Sequence, residues 1–318
     1  MNEQEVKKKE KLIEIIPGKG ITIINEGLMN ELKKKKLSAS MVGSFLTCPA
    51  DWLMDTFILR KIEHEEPIHL SRGTLFHSVM EKFFAIDKGK RTTQELSKIC
   101  NEIFKSEEYS YLDTDLETKK WLFDAVKKYL HMGFDYNNEE IAIIKNNRKQ
   151  VKGLECFVGG RIGNVTRDIV GFVDKVVTDD NGQSIIVEDW KTGKKIHPFD
   201  PDKEISQNNS FDYWRQQTLY AMLLEQSGNK IKSARLIFPV AEGVVNVDCN
   251  NPKIREQVIK DMELVDSQLT KCIENNLFPF QAGIFCSWCG ALNPNHRGRK
   301  QPLQVNKNQL YELIQYSE

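Results

Sequence analysis

The sequence predicts an α/β fold in which a mixed β-sheet is flanked by helices and preceded by a helical subdomain. Residues 70–145 carry apolar side chains at helical spacing, which predicts the subdomain. Residues 168–191 are rich in β-branched types and contain a turn signal, which predicts two paired strands. Further helix-like and strand-like stretches follow as far as residue 276 and complete the expected sheet and its helices.

Length and charge limit the classes of protein to which the chain can belong. At 318 residues it is long enough for one elaborated domain or for two. Lysine plus arginine and aspartate plus glutamate each number 45, so net charge gives no support for nucleic-acid binding and any basic surface must be local. Seven cysteines, an odd number, do not suggest a secreted disulfide framework.

The sequence also predicts where the protein works. No apolar run reaches the length of a membrane span, and residues 1–11 lack the apolar core of a signal peptide. We therefore expect an intracellular, cytoplasmic protein with no membrane partner, located in the host cytoplasm if a phage encodes it.

Composition divides the chain into four expected segments. Residues 1–36 form an extension that ends in the basic run Lys33–Lys36, and residues 37–150 form the helical subdomain that carries Cys48 and His77. Residues 151–300 form the sheet-containing core with a C-terminal cysteine pair. Residues 301–318 form a tail with a short helix from Asn308.

The helical subdomain contains one residue of chemical interest. Ser38 or Ser40 is the expected N-cap of a short helix, which Pro49 interrupts. In the helix that follows at residues 70–84, His77 adjoins an apolar stripe formed by Phe76, Met80, Phe83 and Phe84. A histidine in this position is either a satisfied core residue or a metal ligand, and spacing alone does not decide between them.

The two central strands are expected to form a hairpin. Residues 168–177 and 184–191 flank Thr178–Gly182, whose Asn-Gly step is typical of a turn with positive φ angles. Residues 149–163 predict a further strand that leads into this hairpin.

Side-chain alternation places charged groups at one end of the hairpin. Asp189 and Lys191 share one strand face, whereas Glu188 lies on the other, and Asp174 reaches the same end from the partner strand. Two carboxylates and a lysine can hold a divalent metal and position a water beside a phosphodiester. A surface hairpin with an ordinary ion pair explains the same residues equally well.

The segments that follow the hairpin contain further polar residues of interest. The helix predicted at residues 211–224 places Gln216 and Tyr220 on one face, because they lie four residues apart. Strands are expected at residues 233–240 and 243–248, and a long helix at residues 253–276. The spacing Cys286-x-x-Cys289 lets both sulfurs reach one centre, which favours metal binding or redox chemistry.

Six motifs occur in an order that resembles the RecB-like branch of the PD-(D/E)xK nuclease superfamily. They are Leu37 to Pro49, Gly73-x-x-x-His77, Gly171-x-x-Asp174, Asp189-Trp190-Lys191-Thr192-Gly193, Gln216-x-x-x-Tyr220 and Cys286-x-x-Cys289. They cover most of residues 37–290. The resemblance implies a restriction-endonuclease-like fold, with a mixed sheet core flanked by helices.

The resemblance also implies a metal site. It implies that His77, Asp174 and Asp189 bind a catalytic Mg²⁺ or Mn²⁺, with the backbone carbonyl of Trp190 as a further ligand. Glu188 competes with Asp189 for this role, and the same-face argument favours Asp189.

Three more site residues follow from the resemblance. Lys191 matches the catalytic lysine. Gln216 and Tyr220 match residues that line the site and either hold the DNA strand or orient Lys191.

The cysteines match a second feature of some members. AddB-type helicase-nucleases and CRISPR spacer-acquisition nucleases hold an iron-sulfur cluster with one cysteine before the core and three after it, spaced C-x2-C-x5-C. Cys48, Cys286 and Cys289 match, but Asn295 stands at the fourth position. The neighbouring His296 can supply a nitrogen ligand to an iron-sulfur cluster or to zinc. Alternatively, the protein has lost the cluster and the three cysteines bind nothing. Of these two possibilities, we expect a bound iron-sulfur or zinc centre.

The resemblance therefore implies a metal-dependent deoxyribonuclease, expected to be an exonuclease acting on single strands or duplex ends in recombination, repair or phage replication. The sequence has no G-x-x-x-x-G-K-[ST] phosphate loop, so unwinding would need a partner such as a helicase or recombination protein. One alternative is a non-catalytic DNA-binding or assembly subunit on the same fold, which has no need of a clustered metal site. Another is a metal-thiolate structural protein, which leaves the Asp174 hairpin unexplained.

Overall fold

A computed structural model describes residues 10–61, 68–112, 115–146, 149–179, 181–193, 211–281 and 312–316. The helices are α1 (Glu26–Lys33), α2 (Ala39–Thr47), α3 (Pro49–Leu53), α4 (Ile68–Ala85), α5 (Thr93–Phe104), α6 (Leu116–His131), α7 (Phe211–Gln226) and α8 (Pro252–Glu274). The strands are β1 (Ile13–Ile16), β2 (Gly20–Ile23), β3 (Ile143–Asn146), β4 (Lys149–Lys152), β5 (Leu154–Gly160), β6 (Ile169–Thr178), β7 (Ile185–Trp190), β8 (Ile231–Phe238), β9 (Gly243–Val247), β10 (Phe278–Pro279) and β11 (Ile314–Tyr316).

The chain divides into two compact units. One comprises Met1–Glu65, Gly163–Arg167 and Asp261–Glu318, and the other comprises Glu66–Ile162 and Asp168–Lys260. The domain boundaries expected from composition stay predictions.

The first unit contains a four-stranded sheet in the order β10-β2-β1-β11. Strand β1 is antiparallel to β2 and parallel to β11. The sheet buries Ile13 and Ile21 completely. Ser38 caps α2 by accepting the N–H of Met41, in line with the predicted helix start. The prediction of a helix from Asn308 is wrong at residues 314–316, because these residues pair with β1 as a strand. Asn308 itself lies outside the described residues.

The second unit is built on a five-stranded sheet in the order β5-β6-β7-β8-β9. All neighbouring strands are antiparallel except β7 and β8, which are parallel. Parallel neighbours need a long connection, and here the connection contains α7. The predicted mixed α/β fold is therefore confirmed.

Helices α4, α5 and α6 form one hydrophobic core with part of this sheet. The predicted stripe of α4 is fully buried in that core, at Phe76, Met80, Phe83 and Phe84. Burial of four large side chains fixes the rotation of α4, and therefore the direction of every other residue on it. Among the described residues, no helix is both long enough and apolar enough to cross a membrane.

Candidate active site

The hairpin of β6 and β7 positions the first carboxylate of the predicted site. The two strands are paired from Lys175 with Glu188 to Thr178 with Ile185. Next to this ladder, Asp174 Oδ2 accepts the backbone N–H of Trp190 at 2.7 Å. The bond holds a buried carboxylate beside the last residue of β7.

His77 approaches the same point from α4. Its Nε2 lies 3.0 Å from the carbonyl oxygen of Trp190, and its Nδ1 lies 3.5 Å from Asp174 Oδ2. The imidazole also packs edge-on against the Trp190 indole, with ring centroids 5.9 Å apart. Because the neighbouring Phe76 and Met80 are fully buried, α4 cannot turn His77 away without exposing its core face.

A third group at this point, Glu155 on β5, is absent from the site expected from sequence. Its Oε1 is buried, lies 3.8 Å from His77 Nδ1, and accepts no hydrogen bond from any residue that the structure describes. The backbone at Glu155 has a φ of 38°, which is uncommon for a residue with a side chain. Strained backbone of this kind tends to cluster at functional sites. The only signal in the sequence is an acidic residue in a strand beside the hairpin.

Asp189 and Lys191 form a second part of the site. Asp189 Oδ2 is 2.7 Å from Lys191 Nζ, as expected for two residues on one strand face. Lys191 Nζ also donates to Gln216 Oε1 at 3.1 Å, and Gln216 Nε2 donates to Tyr220 OH at 3.3 Å. Tyr220 packs directly on Gly171, where a Cβ atom would lie 2.2 Å from the tyrosine ring. The structure therefore brings all these predicted residues into one chain of contacts.

Glu188, the competitor of Asp189, lies on the other face of β7. Its Oε2 is 2.7 Å from Lys175 Nζ, and its other oxygen pairs with Arg235. These contacts separate Glu188 from Lys191, in agreement with the argument from strand alternation.

The charged groups of the site shift one another's pKa values. Burial lowers the pKa of His77, but its interactions with Asp174 and Glu155 outweigh burial and raise that pKa to about 10. Burial raises the pKa of Asp189, although the charge of Lys191 opposes this effect. Burial also lowers the pKa of Lys191, but Asp189 and Asp174 reverse the effect, so the net shift is upward. Lys191 is therefore an ammonium group at neutral pH.

The residues present fit a divalent cation. His77, Glu155 and Asp174 each offer one ligand atom, and these three atoms lie within 4.8 Å of one another. The two carboxylates suit a hard ion such as Mg²⁺ or Mn²⁺, the imidazole nitrogen is a softer ligand, and a bound ion would satisfy the buried Glu155 Oε1. Asp189, also predicted as a ligand, lies outside this group of three and is paired with Lys191.

One of the four residues predicted for a second metal centre is described. Cys48 lies between α2 and α3, is buried, and its N–H donates to the carbonyl oxygen of Ser44 at 3.1 Å. Cys286, Cys289 and His296 lie outside the described residues. The iron-sulfur or zinc centre therefore stays a prediction.

Comparison with known families agrees with the geometry. A profile of the PD-(D/E)XK nuclease superfamily matches residues 36–293, which is most of the chain and includes every residue of the site described above. No curated protein matches the chain significantly. The extent of the family match, taken with the mixed sheet and the clustered acidic site, shows that the chain belongs to the PD-(D/E)XK nuclease superfamily.

Proposed function

We propose that the protein is a metal-dependent deoxyribonuclease of the RecB-like branch, an exonuclease that acts on single strands or duplex ends in recombination, repair or phage replication. Membership of the superfamily supports a nuclease that uses divalent metals such as Mg²⁺ or Mn²⁺. The observation that carries a metal-dependent reaction is that three groups able to bind a metal and the Asp189–Lys191 pair converge on the end of one strand; the six motifs support the RecB-like branch.

In this proposal, His77, Asp174 and Glu155 hold the metal, together with the carbonyl oxygen of Trp190 and with Asp189. When bound, a divalent ion polarises the phosphate and favours ionisation of the attacking water. The hydrogen bond from the Trp190 N–H fixes the Asp174 carboxylate before the substrate arrives. Such preorganisation lowers the cost of reaching the transition state.

Lys191 stabilises charge that develops on the phosphate. An ammonium group has three N–H donors; Lys191 Nζ donates to Gln216 Oε1 and forms an ion pair with Asp189 Oδ2. In this proposal, an N–H of the ammonium group donates to a phosphate oxygen of the bound substrate. Gln216, which is itself bonded to Tyr220, keeps the ammonium from rotating away.

The proposed activity is tested with end-labelled single-stranded and double-stranded DNA. We expect cleavage with Mn²⁺ or Mg²⁺ and none with chelator. Shortening from the labelled or the unlabelled end gives the polarity, and cleavage of circular single strands would show endonuclease action. If linear DNA of either kind stays intact at every metal concentration while the protein still binds it, the non-catalytic alternative is correct.

Metal binding should release a proton from the free protein. The raised pKa of His77 means that its imidazole is protonated at pH 8, whereas only the neutral ring binds a metal. We therefore expect about one proton to be released per Mn²⁺ bound at pH 8. The affinity for Mn²⁺ should rise with pH until the pH exceeds the pKa of His77. Calorimetric titration in buffers of different ionisation enthalpy measures this number. A value near zero, equal to that of a His77→Gln variant, would remove His77 from the ligand set.

Three finer features also belong to this proposal. Cys48, Cys286, Cys289 and His296 hold an iron-sulfur cluster or zinc, which visible absorption and elemental analysis of the purified protein would detect or reject. A helicase or recombination protein is the proposed partner. The cytoplasm is the proposed location.

A further inference from the structure

A cluster of four charged residues lies directly behind the proposed catalytic carboxylates. Lys175 Nζ is 2.7 Å from Glu188 Oε2 and 2.5 Å from Glu139 Oε2. Arg235 pairs with both glutamates, at 3.7 Å from Glu139 Oε1 and in closer contact with Glu188. The side chains of Lys175 and Glu188 have no exposed surface. We call these four residues the buried ion cluster; its two positive and two negative charges balance.

Two residues of the buried ion cluster are next to residues of the proposed site in the sequence. Lys175 follows Asp174 on β6, and Glu188 precedes Asp189 on β7. Consecutive strand residues point to opposite faces, so the Lys175–Glu188 pair lies on the reverse side of the sheet from the site. Lys175 and Glu188 are also register partners, at the pair of the ladder nearest to Asp174.

Trp190 connects the two sides of the sheet. Its backbone N–H donates to Asp174 and its carbonyl oxygen lies 3.0 Å from His77. Its indole faces the buried ion cluster, 5.8 Å from Lys175 Nζ, and stacks on Phe84 at 5.9 Å. Lys175 Nζ also lies 4.0 Å from the centre of the Phe84 ring. The position of Lys175 therefore constrains the residue whose backbone touches two proposed ligands.

The other register pairs of β6 and β7 contain no charge. They are Val176 with Val187, Val177 with Ile186, and Thr178 with Ile185. Apolar pairs of similar size tolerate a shift of two residues, which keeps each side chain on its own face of the sheet, because burial is not specific to one partner. A shift that separates Lys175 from Glu188 takes from each fully buried charge its partner on the neighbouring strand and leaves it with one partner, Glu139 or Arg235, which is unfavourable. At the end of the ladder far from the turn, the charged pair thus favours one register, in addition to the turn that Asp179 closes with Gln183 and Ser184.

We infer that Lys175 and Glu188 are positioning residues that fix the register of β6 and β7, so that Asp174 and Asp189 arrive together at the metal and Trp190 holds its place between them. This inference rests on the proposed function. Buried ion pairs often contribute little net stability compared with apolar side chains, and setting register is their best-attested use. The effect of removing the pair should therefore appear in the geometry of the site more than in the stability of the fold.

The double variant Lys175→Met with Glu188→Leu tests the inference. It removes both charges of the pair and leaves Glu139 and Arg235 to neutralise each other. We expect a melting temperature equal to or above that of the wild type, an affinity for Mn²⁺ alone that is at least about tenfold weaker, and faster hydrogen exchange at the Trp190 N–H. Unchanged Mn²⁺ affinity in the folded double variant would overturn the inference.

Two further variants make the test decisive. Asp266→Asn removes a buried ion pair of the other unit, where Asp266 lies 2.6 Å from Arg167, and should lower stability without changing Mn²⁺ affinity. If the double variant does not fold, Glu188→Gln keeps the size of the side chain and should weaken Mn²⁺ binding in the same direction; wild-type affinity there would reject the inference. A wild-type protein that binds no Mn²⁺ contradicts the proposed function instead.

Discussion

Asp174→Asn should abolish metal-dependent cleavage, with kcat lower by about three orders of magnitude or more. Asp174 is the carboxylate that lies nearest to His77 Nδ1 in the group of three and that also bonds to the Trp190 N–H. Asparagine has the same size but no charge, so the fold should persist while the attraction for a divalent ion falls. Cleavage of end-labelled DNA and calorimetric Mn²⁺ titration measure the two effects.

The hairpin also offers a matched control for Asp174. Asp179 follows β6, and its carboxylate accepts the backbone N–H groups of Gln183 and Ser184 at 3.0 and 3.1 Å. Asp179→Asn removes a charge from the same hairpin but from its turn, so we expect a lower melting temperature and normal cleavage. Equal activity of Asp174→Asn and the wild type would exclude Asp174 from the site.

Local sequence signals predict the central hairpin well. Strand alternation places Asp189 with Lys191 and excludes Glu188, and the structure has the same arrangement. Gly182 in the predicted turn has a φ of 67°, the conformation that an Asn-Gly step favours. These predictions succeed because each depends on residues that are neighbours in the sequence.

Contacts between distant segments are not predicted in the same way. Strand β11 pairs with β1, about three hundred residues earlier, and its few residues carry no signal for that partner. Glu155 is missed for a related reason. Its side chain lies near His77 because the register of β5 on β6, with Leu154 opposite Lys175 and Cys156 opposite Val173, sets residue 155 opposite Asp174, and the sequence carries no signal for that register. The ligand group therefore depends on tertiary structure, whereas the family motifs predict only part of it.

The charge on Lys191 determines how it can take part in catalysis. Two carboxylates, Asp189 and Asp174, raise its pKa although burial alone would lower it. A lysine that accepts a proton from water must be neutral, and this environment favours the charged form. In the metal-free site, Lys191 is thus a hydrogen-bond donor, which is the role that we propose for it toward a phosphate.

Lys191→Met should lower kcat by about two to three orders of magnitude while leaving Mn²⁺ binding intact or stronger, because the change removes a positive charge beside Asp189. A lysine elsewhere in the same unit, Lys128, donates to the carbonyl oxygen of Val240, and Lys128→Met should leave kcat unchanged.

Since the ammonium is the active form, the wild-type rate should not rise with pH in the way that deprotonation of a lysine would require. Single-turnover cleavage over a range of pH at saturating Mn²⁺ measures both effects. A rate that climbs tenfold per pH unit through the alkaline range, and loses that dependence in Lys191→Met, would instead make Lys191 the base.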